Sequence, residues 1–164
     1  MPLHITVGPP GVGKTTWAAK KKLELGPDCL HLSRDRLRDA VFGSKEEFFS
    51  EHNPIGSIGG AKMIRQMMLG ALAHWPNTLV LNSDTNVYER SAMFLVDRWN
   101  KSSVHVYYFK IEEELYLERN RTRDLSDKVP EATLRTMWLA YTQKNPWWSR
   151  YNVTEIDCRE QTCS

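Results

Sequence analysis

Eight residues near the start of the chain, Gly8-Pro9-Pro10-Gly11-Val12-Gly13-Lys14-Thr15, have the types and spacing G-x-x-x-x-G-K-T. Glycines at such positions let successive backbone N–H groups curl around a polyphosphate, and a following helix adds the partial positive charge of its N-terminus. The lysine of such a loop reaches the β and γ phosphates, and the hydroxyl after it ligates Mg²⁺. The flanking sequence supplies the context this chemistry requires. Leu3-His4-Ile5-Thr6-Val7 reads as an apolar strand entering the loop, and Thr15 to Leu25 reads as a helix leaving it. A nucleoside triphosphate is the ligand this pattern implies.

Three further clusters carry charge where a group-transfer site needs it. In Ser33-Arg34-Asp35-Arg36-Leu37-Arg38 a carboxylate follows a strand end, and Arg38 lies one helical turn further on. Asp35 is a candidate base or orienting group for an acceptor hydroxyl, with Arg38 holding an anionic part of the acceptor; equally, Asp35 is a candidate helix N-cap. The run Asn77-Thr78-Leu79-Val80-Leu81-Asn82-Ser83-Asp84-Thr85-Asn86 ends an apolar strand in an acidic residue. There Asp84 is suited to the outer shell of Mg²⁺ or to orienting an arginine, with Ser83, Thr85 and Asn86 as polar contacts; a simple helix cap is the alternative. Arg119-Asn120-Arg121-Thr122-Arg123 closes a predicted helix that begins with Glu112, Glu113 and Glu114. Arg119 and Arg123, four apart, are expected on one face of a lid over the triphosphate, about 119–130, although the same charge order suits the helix dipole.

The elements that must position these groups alternate. Strands are expected at Leu3–Val7, Cys29–Ser33, Thr78–Asn82 and Ser103–Phe109, and helices at Thr15–Leu25, Asp35–Phe42, Ala61–Trp75, Tyr88–Asn100, Ile111–Arg123 and Glu131–Gln143. That pattern predicts an α/β fold: a parallel sheet of four to five strands with helices on both faces and ligands at the carboxyl ends of the strands. Residues 43–60, with Asn53-Pro54, Gly56, Gly59 and Gly60, read as a long functional loop or mobile cover.

With 164 residues, one domain is expected over 1–164, with a C-terminal tail at 144–164. A net charge of +2 is too small to argue for nucleic acid unaided. No apolar run approaches a membrane span, no signal peptide is evident, and no obligate protein partner is indicated. Cys29, Cys158 and Cys163 are few and far apart, which favours reduced thiols and a cytoplasmic setting. The five histidines lack metal-ligand spacing. Lys20-Lys21-Lys22 reads as a solvated helix face, and Trp138 with Tyr141 as core. Trp147, Trp148 and Tyr151 are candidates to stack on nucleic-acid bases.

In combination the motifs resemble the kinase half of phage polynucleotide kinase-phosphatases. The matching residues are Lys14-Thr15-Thr16-Trp17, Arg34-Asp35-Arg36-Leu37-Arg38, Ser83-Asp84-Thr85-Asn86 with Glu89-Arg90, Arg119 through Arg123 before Val129-Pro130, and Leu134-Arg135-Thr136-Met137. The resemblance spans residues 3 to 143. It implies an ATP- and Mg²⁺-dependent P-loop kinase that phosphorylates a polynucleotide 5′-OH, DNA ahead of RNA, in a phage-infected cytoplasm. It further implies that Gly8, Gly11, Val12, Gly13, Lys14, Thr15, Thr16 and Arg119 hold the nucleotide, with Thr15 on the metal. Lys14, Asp35 and Arg123 would be catalytic, and Arg38, Asp84, Thr85 and Asn86 would meet the acceptor. A hydroxymethylated base in phage DNA, or a small nucleoside or nucleotide, is the alternative acceptor. A nucleotide switch fits less well, because Asn100-Lys101-Ser102-Ser103 lacks the aspartate that reads guanine.

Overall fold

The computed structural model describes residues 2–75, 78–125 and 128–159. Five strands form one sheet in the order β2-β3-β1-β4-β5: β1 Leu3–Val7, β2 Leu30–Leu32, β3 Val80–Asn82, β4 Val104–Lys110 and β5 Asn152–Asp157. Every pairing is parallel. Parallel strands need crossover connections, and the chain supplies seven α-helices among the described residues: α1 Lys14–Leu25, α2 Arg34–Phe42, α3 Lys45–Phe49, α4 Gly56–His74, α5 Glu89–Val96, α6 Glu113–Thr122 and α7 Glu131–Tyr141. The expected α/β architecture, with its helix-flanked parallel sheet, is the one observed.

The central strand β1 is buried at all five positions, the burial expected of a strand covered on both faces. Leu3, Ile5 and Val7 join Val80, Val104, Val106 and Phe109 in the main core, which α4 completes with Ile64, Met68 and Leu72. A smaller cluster forms where Ala18 of α1 meets Cys29 and Leu81. Trp17 extends that contact, its ring 4.4 Å from Tyr107 and 5.6 Å from Phe109.

Three expectations need correction. The segment 43–60 is not an extended loop. Gly43 (φ 83°) ends α2, Ser44 accepts from the Glu47 N–H to cap α3, and α4 begins at Gly56. Its glycines are packing devices as well as breakers: a Cβ on Gly60 would lie 2.6 Å from the Phe48 ring. The tail holds a fifth strand, β5, which runs along the β4 edge from His105↔Asn152 to Lys110↔Asp157. Trp147 and Trp148 are buried, at 5% and 3% exposure, so they are core residues and offer no surface to a base. Trp147 also donates its indole N–H to the Asn86 carbonyl at 2.9 Å.

Trp138 and Tyr141 pack as expected, Trp138 beside Tyr116 and Tyr141 buried with its hydroxyl on the Phe109 carbonyl. Cys29 and Cys158 are buried. Asn77, at the start of the third-strand run, Ser126 and Asp127 of the lid, and Cys163 of the tail lie outside the described residues. Among the described residues no helix is long and apolar enough to cross a membrane.

Candidate active site

The loop after β1 is built by backbone conformations that only glycine adopts easily. Gly11 and Gly13 have φ of 81° and 92°, in the left-handed region. Gly13 is the residue before α1, and no side chain caps that helix end. Its first N–H groups therefore stay available to an anion. Gly8 has another task. A Cβ there would lie 2.9 Å from the Phe109 Cβ, and its N–H donates to the Thr85 carbonyl at 3.0 Å. It seats the loop on the sheet and does not offer its N–H to a phosphate, contrary to expectation. The Val12 side chain is fully buried, so only its backbone belongs to the loop. Thr16 is exposed on α1, whereas Thr15 lines the phosphate cavity.

That cavity has a volume of about 420 Å³, with Gly11, Gly13, Lys14 and Thr15 in its lining. Lys14 is buried and crosses the loop to donate to the Pro9 carbonyl at 2.6 Å. Burial pulls its ammonium down to about 8, with the charges of Asp35 and Asp84 opposing the shift. An ammonium held in this way gains from a phosphate, which supplies the countercharge that burial removes. Among the described residues no cluster of three or more His, Cys, Asp or Glu could hold a metal ion. Thr15, Asp35 and Ser83 do line the cavity. This sparse set of hard donors fits a Mg²⁺ that keeps phosphate and water oxygens as its other ligands.

The end of β3 is anchored by Asp84. Its side chain is only 4% exposed and receives the Arg34 N–H and the Arg34 Nε–H, each at 2.8 Å. Asn82 adds a third donor at 3.0 Å. Asp84 thus straps the end of β3 to the start of α2, the arginine-orienting role among its alternatives. Ser33 caps α2, its hydroxyl accepting from the Arg36 N–H. Asp35 is therefore not the N-cap. It sits in the first turn with 78% of its side chain exposed, and Arg38 donates to its carboxylate at 2.8 Å. Arg38 also bonds Asp39, which holds its guanidinium with only 16% exposure.

Beyond Asp35 opens a second cavity of about 590 Å³. Arg34, Arg38, Arg65 and Arg90 line it together with Phe48, Phe49 and Phe94. The Arg65 guanidinium lies 5.0 Å from the centre of the Phe94 ring. Asp35, Arg38 and Thr85 belong to the walls of both cavities. Sequence reasoning missed Arg65, Phe49 and Phe94, since nothing in a helical run marks which residue faces a cavity. It also missed Lys45, which lines the phosphate cavity.

Two expected site residues lie elsewhere. Asn86 is 2% exposed and takes part in the frame: its amide donates to the Thr6 carbonyl at 3.0 Å and to Asn82 Oδ1. Its φ of 50° is a left-handed conformation that asparagine tolerates better than most residues. Arg119 and Arg123 do not share a helical face, because α6 ends at Thr122 and Arg123 is extended, with φ −69° and ψ 156°. Arg119 turns to the Cys158 carbonyl at 2.7 Å, while Arg123 lines the phosphate cavity.

Residues 3–143 match the protein family described as AAA domain. No match was found among curated protein sequences. Among solved structures the chain is similar to a shikimate kinase from Aquifex aeolicus vf5, with a TM-score of 0.64 and 13% identity over 97% of this chain and 88% of that one. A gluconokinase from Sinorhizobium meliloti 1021 gives 0.61 and 13% identity over 98% and 84%. A chain of the Pnkp1/Rnl/Hen1 RNA repair complex gives 0.61 and 22% identity, covering 85% of this chain but only 43% of that longer one. Identities this low speak for the fold alone, and the fold is the one these structures share. With a family match over most of its length, this chain belongs to the AAA domain family.

Proposed function

We propose that the protein transfers the γ-phosphoryl group of ATP to a hydroxyl on nucleic acid, most simply a polynucleotide 5′-OH. The observation that carries this reading is the wall formed by Asp35, Arg38 and Thr85, common to the phosphate cavity and the larger basic one. A carboxylate at such a junction can meet a donor on one side and an acceptor hydroxyl on the other. In the step, the hydroxyl oxygen forms a bond to the γ phosphorus and the bond from that phosphorus to the β–γ bridging oxygen breaks. The acceptor proton passes to the Asp35 carboxylate, and ADP leaves. Lys14 and the N–H groups at the start of α1 hold the phosphates, and Arg123 meets the charge spread over the transferring oxygens. A Mg²⁺ held by Thr15 would neutralise charge on the β and γ phosphates.

The larger cavity supports a nucleic-acid acceptor in preference to a small neutral one. It combines Arg65 and Arg90, suited to phosphodiesters, with Phe49 and Phe94, suited to a base, while Arg34 and Arg38 are paired with Asp84, Asp35 and Asp39. The likeness to a chain of an RNA repair complex agrees with this reading. The test is γ-labelled ATP with a panel of acceptors: 5′-OH DNA, 5′-OH RNA, hydroxymethylated duplex DNA, free nucleosides, shikimate and gluconate. Label in either polynucleotide end supports the proposal, and the ratio between them decides DNA against RNA. Label confined to nucleosides or to the two metabolites would overturn it.

A further inference from the structure

We propose that His31 is a positioning residue for Ser83: it turns the Ser83 hydroxyl so that its proton is given to an oxygen of the bound triphosphate. This rests on the reading of the phosphate cavity as a triphosphate site, and it holds for any acceptor.

The arrangement begins with strand register. His31, in the middle of β2, pairs with Leu81 of β3. Side chains alternate along a strand, so Ser83, two residues after Leu81, lies on the face of His31, one step nearer the carboxyl rim. The Ser83 N–H still donates to the Leu32 carbonyl at 3.3 Å, which keeps this residue in line with β2. The two side chains meet there, with His31 Nε2 at 2.8 Å from Ser83 Oγ. Ser83 is buried and lines the phosphate cavity, whereas His31 does not line it and reaches a ligand there only through Ser83.

The direction of that hydrogen bond follows from the other side of the ring. Arg36 Nη1 lies 3.2 Å from His31 Nδ1. A guanidinium only donates, so Nδ1 presents its lone pair. Burial pushes the imidazole below the ordinary histidine range, the charges of Arg36 and Lys22 add to that push, and Asp84 opposes it. The one proton of the neutral ring therefore sits on Nε2 and is donated to Ser83 Oγ. The serine oxygen acts as acceptor, and its own proton is left without an acceptor among the described residues. In the opposite arrangement an Nδ1–H would face the Arg36 guanidinium, and the serine would offer only lone pairs to an anion. A phosphoryl oxygen in the cavity supplies the missing acceptor.

The probe is the Mg²⁺ complex of the non-hydrolysable analogue AMP-PNP. It is titrated calorimetrically into the wild type, Ser83→Ala, His31→Leu, the double variant, His31→Gln and His31→Asn. Ser83→Ala should weaken binding by roughly tenfold, the scale of a hydrogen bond to a charged group. His31→Leu should weaken it by about three- to tenfold. Added to Ser83→Ala, it should change affinity by less than about twofold, because the histidine acts only through the hydroxyl. A glutamine can place its amide N–H where Nε2 stands, while an asparagine reaches only as far as Nδ1. His31→Gln should therefore restore most of the affinity, and His31→Asn should not. Losses that add in the double variant, an unchanged affinity in Ser83→Ala, or equal affinities for the glutamine and asparagine variants would overturn the proposal. Thermal melts identify any variant that does not fold; if His31→Leu fails, Ser83→Ala and the glutamine–asparagine contrast decide. A wild type that binds no AMP-PNP would remove the triphosphate reading and this proposal together. If the affinity pattern appears while no polynucleotide is phosphorylated, the roles of His31 and Ser83 stand and the acceptor assignment falls.

Discussion

Arg123 lies directly across Gly11: a methyl group added to that glycine would sit 3.6 Å from the arginine Cδ and 3.9 Å from its Nη1. The residue proposed to stabilise the transferring phosphoryl group is thus packed on the turn that binds it. Replacing Gly11 by alanine should do two things. The left-handed φ of 81° becomes strained, costing about 1–2 kcal/mol of stability, and the added methyl comes into van der Waals contact with the Arg123 side chain. Arg123→Ala should lower kcat on the order of a thousandfold while changing ATP affinity far less. Gly11→Ala should show a weaker version of the same kcat loss, read by steady-state kinetics beside a thermal melt. If Arg123→Ala reduced binding and turnover equally, Arg123 would be a ground-state anchor.

Asp35 is exposed and leans on Arg38, as a group that must meet an incoming acceptor would. Asp35→Asn keeps the shape and removes the proton acceptor. Transfer should fall on the order of 10²–10⁴-fold, the usual span for a general base, with nucleotide affinity nearly unchanged. Fluorescent-nucleotide titration and a transfer assay on the same preparation check this, and loss of nucleotide binding would remove Asp35 from the base role.

Lys14 gives a pH signature. Its ammonium titrates at about 8 in the folded protein against 10.5 for an ordinary lysine, because burial opposes the charge. Between those values the unfolded chain binds more protons than the folded one, so this group makes the nucleotide-free protein more stable as pH rises through that window. A bound triphosphate restores the charge and therefore takes up a proton. Calorimetric titrations at about pH 9, in buffers of different ionisation enthalpy, should show proton uptake that is absent near pH 6. Identical proton counts at both pH values would exclude Lys14 as the titrating group.

The tail offers a stability prediction. With Trp147 buried and its indole on the Asn86 carbonyl, Trp147→Ala should cost about 3–5 kcal/mol in denaturant unfolding. Trp147→Phe should cost less, keeping the ring volume and losing the hydrogen bond. Where Trp147→Phe folds, its acceptor KM should match the wild type; a raised KM would return this residue to the acceptor surface.

Much of the frame was legible because its signals are local. The buried strand, the glycine loop and α1 follow from runs of a few residues, and so does the placement of Asp35 and Asp84 at strand ends. What escaped depends on distant partners. Asn-Val-Thr-Glu-Ile-Asp is too polar to announce a strand; it becomes β5 because β4 offers it an edge. Residues 43–60 carry glycines that usually break structure, yet Gly60 is needed so that α4 can approach Phe48 and Phe42. Arg119 and Arg123 share a spacing but not a helix, since α6 ends one residue short of Arg123. Lys45 and Arg65 carry no motif, and only the meeting of α3 and α4 with the strand ends reveals what they face.

The sheet order has a consequence for how the protein is made. Leu3 pairs with Val80 on one side of β1 and with Val104 on the other. The first strand of the domain therefore leaves the ribosome long before either neighbour exists, apolar and with both edges bare. Until β3 and then β4 have been synthesised, Leu3–Val7 is a strand in search of any partner, the state in which nascent chains mispair or recruit chaperones. The phosphate loop, whose Gly8 rests on Phe109 and Thr85, can take its final shape only after that point. Nucleotide added during translation should accordingly do nothing for the early chain and protect it from proteolysis only once β4 has emerged.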